Sequence, residues 1–452
     1  MSNFVSLAAS TLITLILPKF LGVTEYAYYQ LYIFYIGYLG FFTFGWTEGV
    51  YLRYGGKYYD KLNKDLLSAQ FRLFSVFESI ISVSIILIAL ISMISVQKKI
   101  VFYAVAIGII VYLPRAFLHN ILQTTGRIKE YAIAVIVEKS IHILGTIIGV
   151  VTKSNFFAFY IISELFGRFV AMLYITFICR DIIKTKPHIN KNVFSEIRSN
   201  ISCGLVMMIS NITSMLIIGF VRQIIEWRWD VETFGKISLT LSLSNLIMVF
   251  INSLALVVFP QLKRVNEDNL QRYYSLMRTV LMIPILAILI FFKPFRDLLV
   301  IWLPKYQDGL RYMAILFPIC IFDCKMSLLI TTYLKVLRKE KTLLAINSGS
   351  LLVSSCLALT MCYLLNSLDW AVFSIFFVMM LRSVTSECIL KKYISIDITK
   401  NILIEMILSF VFIGVNWYFN SYYGIITYLI IYFVYIYFNR NDILKAKQTL
   451  LK

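Results

Sequence analysis

Charge is the scarce ingredient of this chain. Asp, Glu, Lys and Arg together make up 15% of its 452 residues, and 60% of the residues are hydrophobic. Soluble domains carry about 25% charged residues, so a water-soluble fold is excluded. Histidine is reduced to three positions, and His188 stands alone in a polar stretch. Neither an HExxH pair nor a Walker-type glycine loop occurs, which removes the common metal and nucleotide signatures. The seven cysteines form no CxxC pair. Cys320 and Cys324 share one helix face and read as reduced packing residues, not as a disulfide or a metal site. Acid is scarcer than base, 24 residues against 43. No basic segment precedes the first apolar stretch, so no cleavable signal peptide is expected.

What the chain does have is length of apolar sequence. Fourteen apolar stretches run through it, at 2–21, 27–52, 68–96, 100–122, 131–152, 154–178, 201–225, 234–259, 278–300, 311–334, 343–365, 369–390, 401–420 and 423–439. A hydrocarbon core about 30 Å thick takes roughly 20 apolar residues per helical crossing. Alternating strand patterns of the membrane-barrel kind are missing, so the expected fold is an all-α polytopic membrane protein of about 14 transmembrane helices.

The loops give it an orientation. One alternate set, from Arg53 through Arg278 to the tail beyond Arg440, holds 27 cations, and the opposite set, with Lys293 and Arg296 in it, holds 11. By the positive-inside rule both termini are cytoplasmic. The net charge of +19 follows from that bias and from contact with anionic lipid, without a nucleic-acid partner.

The halves echo each other at an offset of 208 residues. Ser2-Asn3 and Ser6 correspond to Ser210-Asn211 and Ser214, and Val23, Tyr26, Ala27 and Leu31 to Val231, Phe234, Gly235 and Leu239. Helices one and seven then run the same way, which makes the repeats parallel. The expected organisation is a six-helix bundle over 1–178, a cytoplasmic linker over 179–200, a second six-helix bundle over 201–390, and two appended helices with a tail over 391–452. Helix seven starts near Ile201, so its counterpart should start ahead of Met1. Either the first helix is shorter than its relatives or the natural start lies upstream.

Ionisable groups inside the apolar stretches cost several kcal/mol unless paired or hydrated, so each is a functional candidate. Arg115 and His119 lie four apart, Lys139 and His142 three apart beside Glu138, and Glu164 and Arg168 four apart, a spacing suited to an intrahelical pair. Asp323 and Lys325 share the tenth stretch, Arg382 and Glu387 the twelfth, and Glu48 lies shortly before Arg53 near the end of the second. Lys325 and Arg382 are read as close enough to the cytoplasmic surface to snorkel. Glu48, Glu164, Arg168, Asp323 and Glu387 read as proton- or sodium-coupling groups or as countercharges.

Five segments carry a family likeness: PKFLGVTEYAYYQLY (18–32), FGWTEGVYLRYGG (44–56), ILQTTGRIKEYA (121–132), DVETFGKISLTLSLSNL (230–246) and LKVLRKEKTLLAIN (334–347). With fourteen helices and a six-plus-six repeat, the chain resembles the Wzx-type oligosaccharide flippases of the MATE-like exporter superfamily. The resemblance implies a V-shaped pair of six-helix bundles and alternating access. It also implies undecaprenyl-pyrophosphate-linked repeat units, for O-antigen or capsule, as the cargo in a bacterial inner membrane. A groove near the last two helices would take the polyprenyl tail, and the pathway's polymerase machinery would be a partner. A pyrophosphate suits Arg forks and Lys point charges, which nominates Arg53, Arg115, Lys139 and Arg382 as headgroup contacts. A catalytic residue, a metal site and a bound cofactor are not expected. Two rivals stand beside this reading. A multidrug or cation antiporter of the same superfamily would suit a carboxylate in the first stretch, and residues 2–22 contain none. A polysaccharide polymerase would suit long outer loops with His, and the outer loops here are short.

Overall fold

The computed structural model describes residues 2–262, 270–394, 396, 398–419 and 423–440, and among them all regular structure is helical. Lys263 and Arg264 of the fourth loop of cations, and Lys445, Lys447 and Lys452 of the tail, lie outside the described residues. The chain divides into two compact units, Met1–Ile212 and Thr213–Lys452.

The first unit contains α1 (Ser2–Phe20), α2 (Val23–Gly37), α3 (Trp46–Arg53), α4 (Lys64–Ile91), α5 (Val96–Thr124), α6 (Ile128–Val151), α7 (Phe157–Ile178), the short α8 (Arg180–Lys184) and the start of α9 (Lys191–Arg228). The second contains the end of α9, then α10 (Val231–Leu262), α11 (Leu270–Ile288), α12 (Phe292–Trp302), α13 (Gln307–Arg311), α14 (Met313–Leu316), α15 (Ile319–Cys324), α16 (Thr331–Val336), α17 (Glu340–Leu359), α18 (Leu368–Ile394), α19 (Thr399–Tyr418) and α20 (Tyr423–Phe438). Each apolar stretch coincides with one of these helices or with a short string of them. Among the described residues ten are long and apolar enough to cross a membrane, and α1 and α20 carry shorter apolar helices. This is a multi-pass, all-helical membrane protein. The offset of the repeat reappears in the helix starts, Val23 for α2 and Val231 for α10. At 19 residues, α1 is half the length of the 38-residue α9, whose first ten residues take up the end of the segment read as a linker.

Side-chain chemistry sets the boundaries. Asn63 caps α4 by accepting from the Leu66 amide at 3.0 Å, and Ser95 caps α5 through the Lys98 amide at 3.4 Å. Glu25, in the first turn of α2, accepts from the Phe157 amide at 2.9 Å and so satisfies a free donor at the start of α7. On α4 the buried stripe Leu67, Phe71, Phe74, Glu78 and Ser82 recurs at helical spacing, while Val76, Ile80, Val83 and Leu87 are exposed on the other side. Exposed apolar surface of that kind faces lipid.

The second apolar stretch is not one helix. After α2 the chain tightens to a 3-10 turn at Leu39–Thr43, then reverses handedness at Phe44 (φ 49°) and Gly45 (φ 80°) before α3 begins. Broken backbone at membrane depth is tolerated where protein covers it, and here α9 does. A Cβ on Gly49 would stand 1.9 Å from the Asn200 carbonyl oxygen, and one on Gly204 would stand 2.0 Å from the Gly45 carbonyl oxygen. The two backbones touch because all three positions are glycine. Arg53 locks the crossing through Glu196 at 3.0 Å and the Asn200 amide oxygen at 2.6 Å. Gln70 joins it, accepting from Asn200 at 2.8 Å and from the Trp46 indole at 3.2 Å.

That crossing is testable. Gly49→Ala or Gly204→Ala forces the backbones apart and should destabilise the protein by about 1–3 kcal/mol, read as a lower melting temperature in detergent. Gly349→Ala, where a Cβ meets nothing within 4 Å, should leave it unchanged or slightly higher.

Candidate functional site

Two clusters of buried charge stand out, one in each unit, and they differ in how far the charges cancel. The second unit's cluster is closed. Arg278 of α11 meets Glu387 of α18 at 2.8 Å and Glu405 of α19 at 2.7 Å. The contact to Glu405 is an ion pair bent outside hydrogen-bond geometry. Lys325 meets Glu387 at 2.7 Å and Glu405 at 2.9 Å, and Tyr274 donates to Glu387 at 2.8 Å. Lys325 opens a π-helical turn, Lys325–Ile330, between α15 and α16; such turns rotate side chains off the regular helical register. Two cations face two carboxylates, and all four side chains are buried. This corrects two expectations: Arg278 is buried in α11, not in a loop, and Lys325 does not snorkel. Glu387 sits as a countercharge in the quartet. Low dielectric is the reason, since a lone charge there costs more than the cross-helix pairing does.

Arg382 does not snorkel either. It is buried and donates to Asn347 of α17 at 3.1 Å and to Ser214 of α9 at 2.8 Å. Asp323 lies within electrostatic reach of it, half-buried on α15, with no ion pair between them. Lys293 and Arg296, read as loop cations, are buried near the start of α12, Lys293 paired with Asp297 at 2.8 Å.

The first unit's cluster is open. Glu138 of α6 is its hub, reached by Arg115 of α5 at 2.5 Å, by Lys139 at 3.6 Å and by Arg168 of α7 at 3.7 Å. Arg168 also pairs with Glu164 one turn away at 2.5 Å. The ring of Tyr112 lies under both guanidinium groups, 5.3 Å from Arg115 and 5.0 Å from Arg168. His142 is buried beside them, and His119 stacks on Tyr131 at 4.0 Å. Three cations face two carboxylates, so the Arg, Lys and Glu side chains of the cluster carry a net positive charge. Nε of Arg115, Nε and Nη1 of Arg168, and Nε2 of His142 have no hydrogen-bond partner. The side chain of Lys139 remains 28% exposed, which gives the cluster an opening.

Of the residues nominated from sequence, Arg115, Lys139, Glu164 and Arg168 therefore come together. Arg53 is held on Glu196, and Glu48, at the start of α3, accepts from Thr43 at 3.1 Å and Thr47 at 2.9 Å. Arg382, Asp323 and Glu387 lie in the second unit. Glu138, Tyr112, Arg278 and Glu405 were not nominated. Glu405 is the one carboxylate in its apolar stretch, and weighing lone acids as heavily as lone bases would have found it. Among the described residues no group of His, Cys, Asp and Glu is arranged to hold a metal ion.

An inward-facing MATE-family multidrug resistance transporter of the MOP superfamily superposes with a TM-score of 0.66 at 12% identity, over 87% of this chain and 95% of its own. The lipid II flippase MurJ, in an inward closed conformation, superposes with a TM-score of 0.67 at 14% identity, over 98% of each chain. A MOP-superfamily transporter from Pyrococcus furiosus, described as having a binding pocket of reverse polarity, gives 0.52 at 13% identity over 87% and 94%. These solved neighbours are transporters, and the chain shares their fold. No protein-family model and no curated protein matches the sequence.

The quartet makes a sharp prediction. Glu405→Gln leaves two buried cations on one carboxylate and should cost about 3–5 kcal/mol, measured by thermal unfolding. Replacing Lys325 and Glu405 together by Met should cost less than the sum of the two single changes, a coupling that a double-mutant cycle reads directly.

Proposed function

We propose that the protein is a flippase for oligosaccharides carried on a polyprenyl pyrophosphate, moving them from the inner to the outer leaflet of a bacterial cytoplasmic membrane for surface polysaccharide. The observation that carries this reading is the excess of cation in the first unit's cluster together with its unpartnered guanidinium N–H groups. Guanidinium forks match the oxygens of a phosphate, and an anion there would cancel the surplus charge and take up the spare donors. Lys139, at the opening, would meet the headgroup first, with Arg115 and Arg168 behind it. Arg382, on neutral oxygens in the second unit, is a further headgroup contact, and Arg53 serves the α3–α9 crossing instead. Support also comes from extent. Superposition on the lipid II flippase over 98% of the chain cannot omit α19 and α20, the helices assigned to the lipid tail. Cytoplasmic termini and contact with polymerase machinery complete the reading.

A cation or drug antiporter is the second reading, because multidrug transporters share the fold. A cationic cargo would be repelled by a cluster with surplus positive charge.

Deleting the gene should make complete lipid-linked repeat units accumulate on the inner leaflet while surface glycan falls. Complementation with Lys139→Gln should restore expression and lower flux about ten- to hundred-fold, the equivalent of one charge-assisted hydrogen bond of about 1.5–3 kcal/mol. Single repeat units reaching the surface unpolymerised would point to a polymerase. Unchanged glycans with new drug sensitivity would point to the antiporter.

A further inference from the structure

Among the described residues, a fully buried carboxyl outside both clusters has no partner. Glu78, in the middle of α4, is 0% exposed, and neither carboxylate oxygen has a hydrogen-bond partner. It lies on the buried stripe of α4, in the seam with α5. Ser82, one turn on, donates to the Ala106 carbonyl at 2.8 Å, and Phe74, one turn back, stacks on Phe117 at 5.6 Å. Antiparallel register therefore sets Glu78 level with residues 110–113 of α5. At that level Pro114 has no N–H to give the Ile110 carbonyl. The next side chain, Phe77, meets Phe44 at 5.8 Å, where the second apolar stretch is broken. The Ile110 carbonyl, level with Glu78, is thus left without its helical donor.

The charged and titratable groups of the neighbouring elements are engaged elsewhere. On α5, Arg115 is on Glu138, Tyr112 lies under the guanidinium groups, and His119 stacks on Tyr131. Lys99 donates to the Leu90 carbonyl, and Lys98 and Tyr103 form no ion pair with Glu78. On α8, Asp181 pairs with Lys64 of α4 at 2.6 Å, while Arg180 and Lys184 lie, like Asp65 and Arg72, at the far end of the seam. The 3-10 turn Leu39–Thr43 carries no ionisable side chain, and on α3 Glu48 and Arg53 are held by Thr43, Thr47 and Glu196.

A carboxylate can only accept hydrogen bonds, whereas the neutral acid can donate one. In a seam offering an acceptor, no donor and no countercharge, the neutral form is the one that can be buried. We propose that Glu78 is a proton-binding site, holding its proton while the α4–α5 seam is closed and releasing it to water only when the seam opens. Release breaks the O–H bond, leaves the electron pair on the carboxylate and passes the proton to water, so any movement that parts α4 from α5 becomes coupled to pH. This inference does not depend on the cargo.

The test is infrared spectroscopy of the full chain in lipid vesicles at neutral pH, with and without ¹³C-glutamate. A protonated-carboxyl band is expected that shifts on labelling and disappears in Glu78→Gln. Because Gln is neutral and nearly isosteric, Glu78→Gln should melt with the wild type in acid, below the range in which a free carboxyl ionises. Above that range it should melt progressively higher than the wild type, whose unfolded chain alone gives up the proton. A spectrum unchanged by Glu78→Gln would overturn the proposal. So would failure of that variant to fold, since the native form would then need the ionised carboxylate.

Discussion

The cost of holding charge away from water governs this structure. In most of the chain the cost is avoided by leaving charge out. Where charge remains, helices are tied together at the points where it is cancelled. The second unit shows the complete case, with Arg278, Lys325, Glu387 and Glu405 closing a neutral ring. Four separate segments contribute one residue each, so removing any one leaves the others uncompensated. Glu405 belongs to α19, and through it α19 is joined to Arg278 of α11 and to Lys325.

The first unit departs from that pattern, and the departure carries information. Glu138 is shared among three cations, and Arg168 and Arg115 keep N–H groups with nothing to bond. Unsatisfied donors in a buried cluster are costly, and one more carboxylate would have cancelled the surplus charge, as the second pair does in the other unit. A structural role gives no reason to stop short of it. A role in meeting an anion does, because spare donors and a surplus charge are what such a ligand uses.

Most of the architecture was legible in the sequence because it follows from the length of apolar segments, and hydrophobicity needs no knowledge of neighbours. The break at Phe44 and Gly45 escaped that reading. Its residues are apolar or small like their surroundings, and only the contact of Gly49 with Asn200 explains it. Charge was legible as a set of positions and illegible as a set of pairs. The Glu164–Arg168 pair could be read because it lies within one helix. Glu138 could not be placed as a hub, and Glu405 could not be matched to Lys325, because cross-helix contact depends on how each helix is rotated. The π-turn at Lys325 shows the difficulty, since it alters that rotation within a single stretch.

Glu78 completes the argument from the opposite side. It has the burial of the second unit's quartet and the missing partners of the first unit's cluster, but no opposite charge at all. Cancellation by a neighbour is thus ruled out for it among the described residues, and cancellation by an anionic ligand is ruled out by its sign. A proton is the one remaining countercharge small enough to fit a closed helix seam. Its seam also adjoins the broken second stretch through the contact of Phe77 with Phe44. Charge is thus cancelled by side chains in the second unit and left in surplus in the first, and on the readings proposed above an anion meets that surplus and a proton neutralises Glu78.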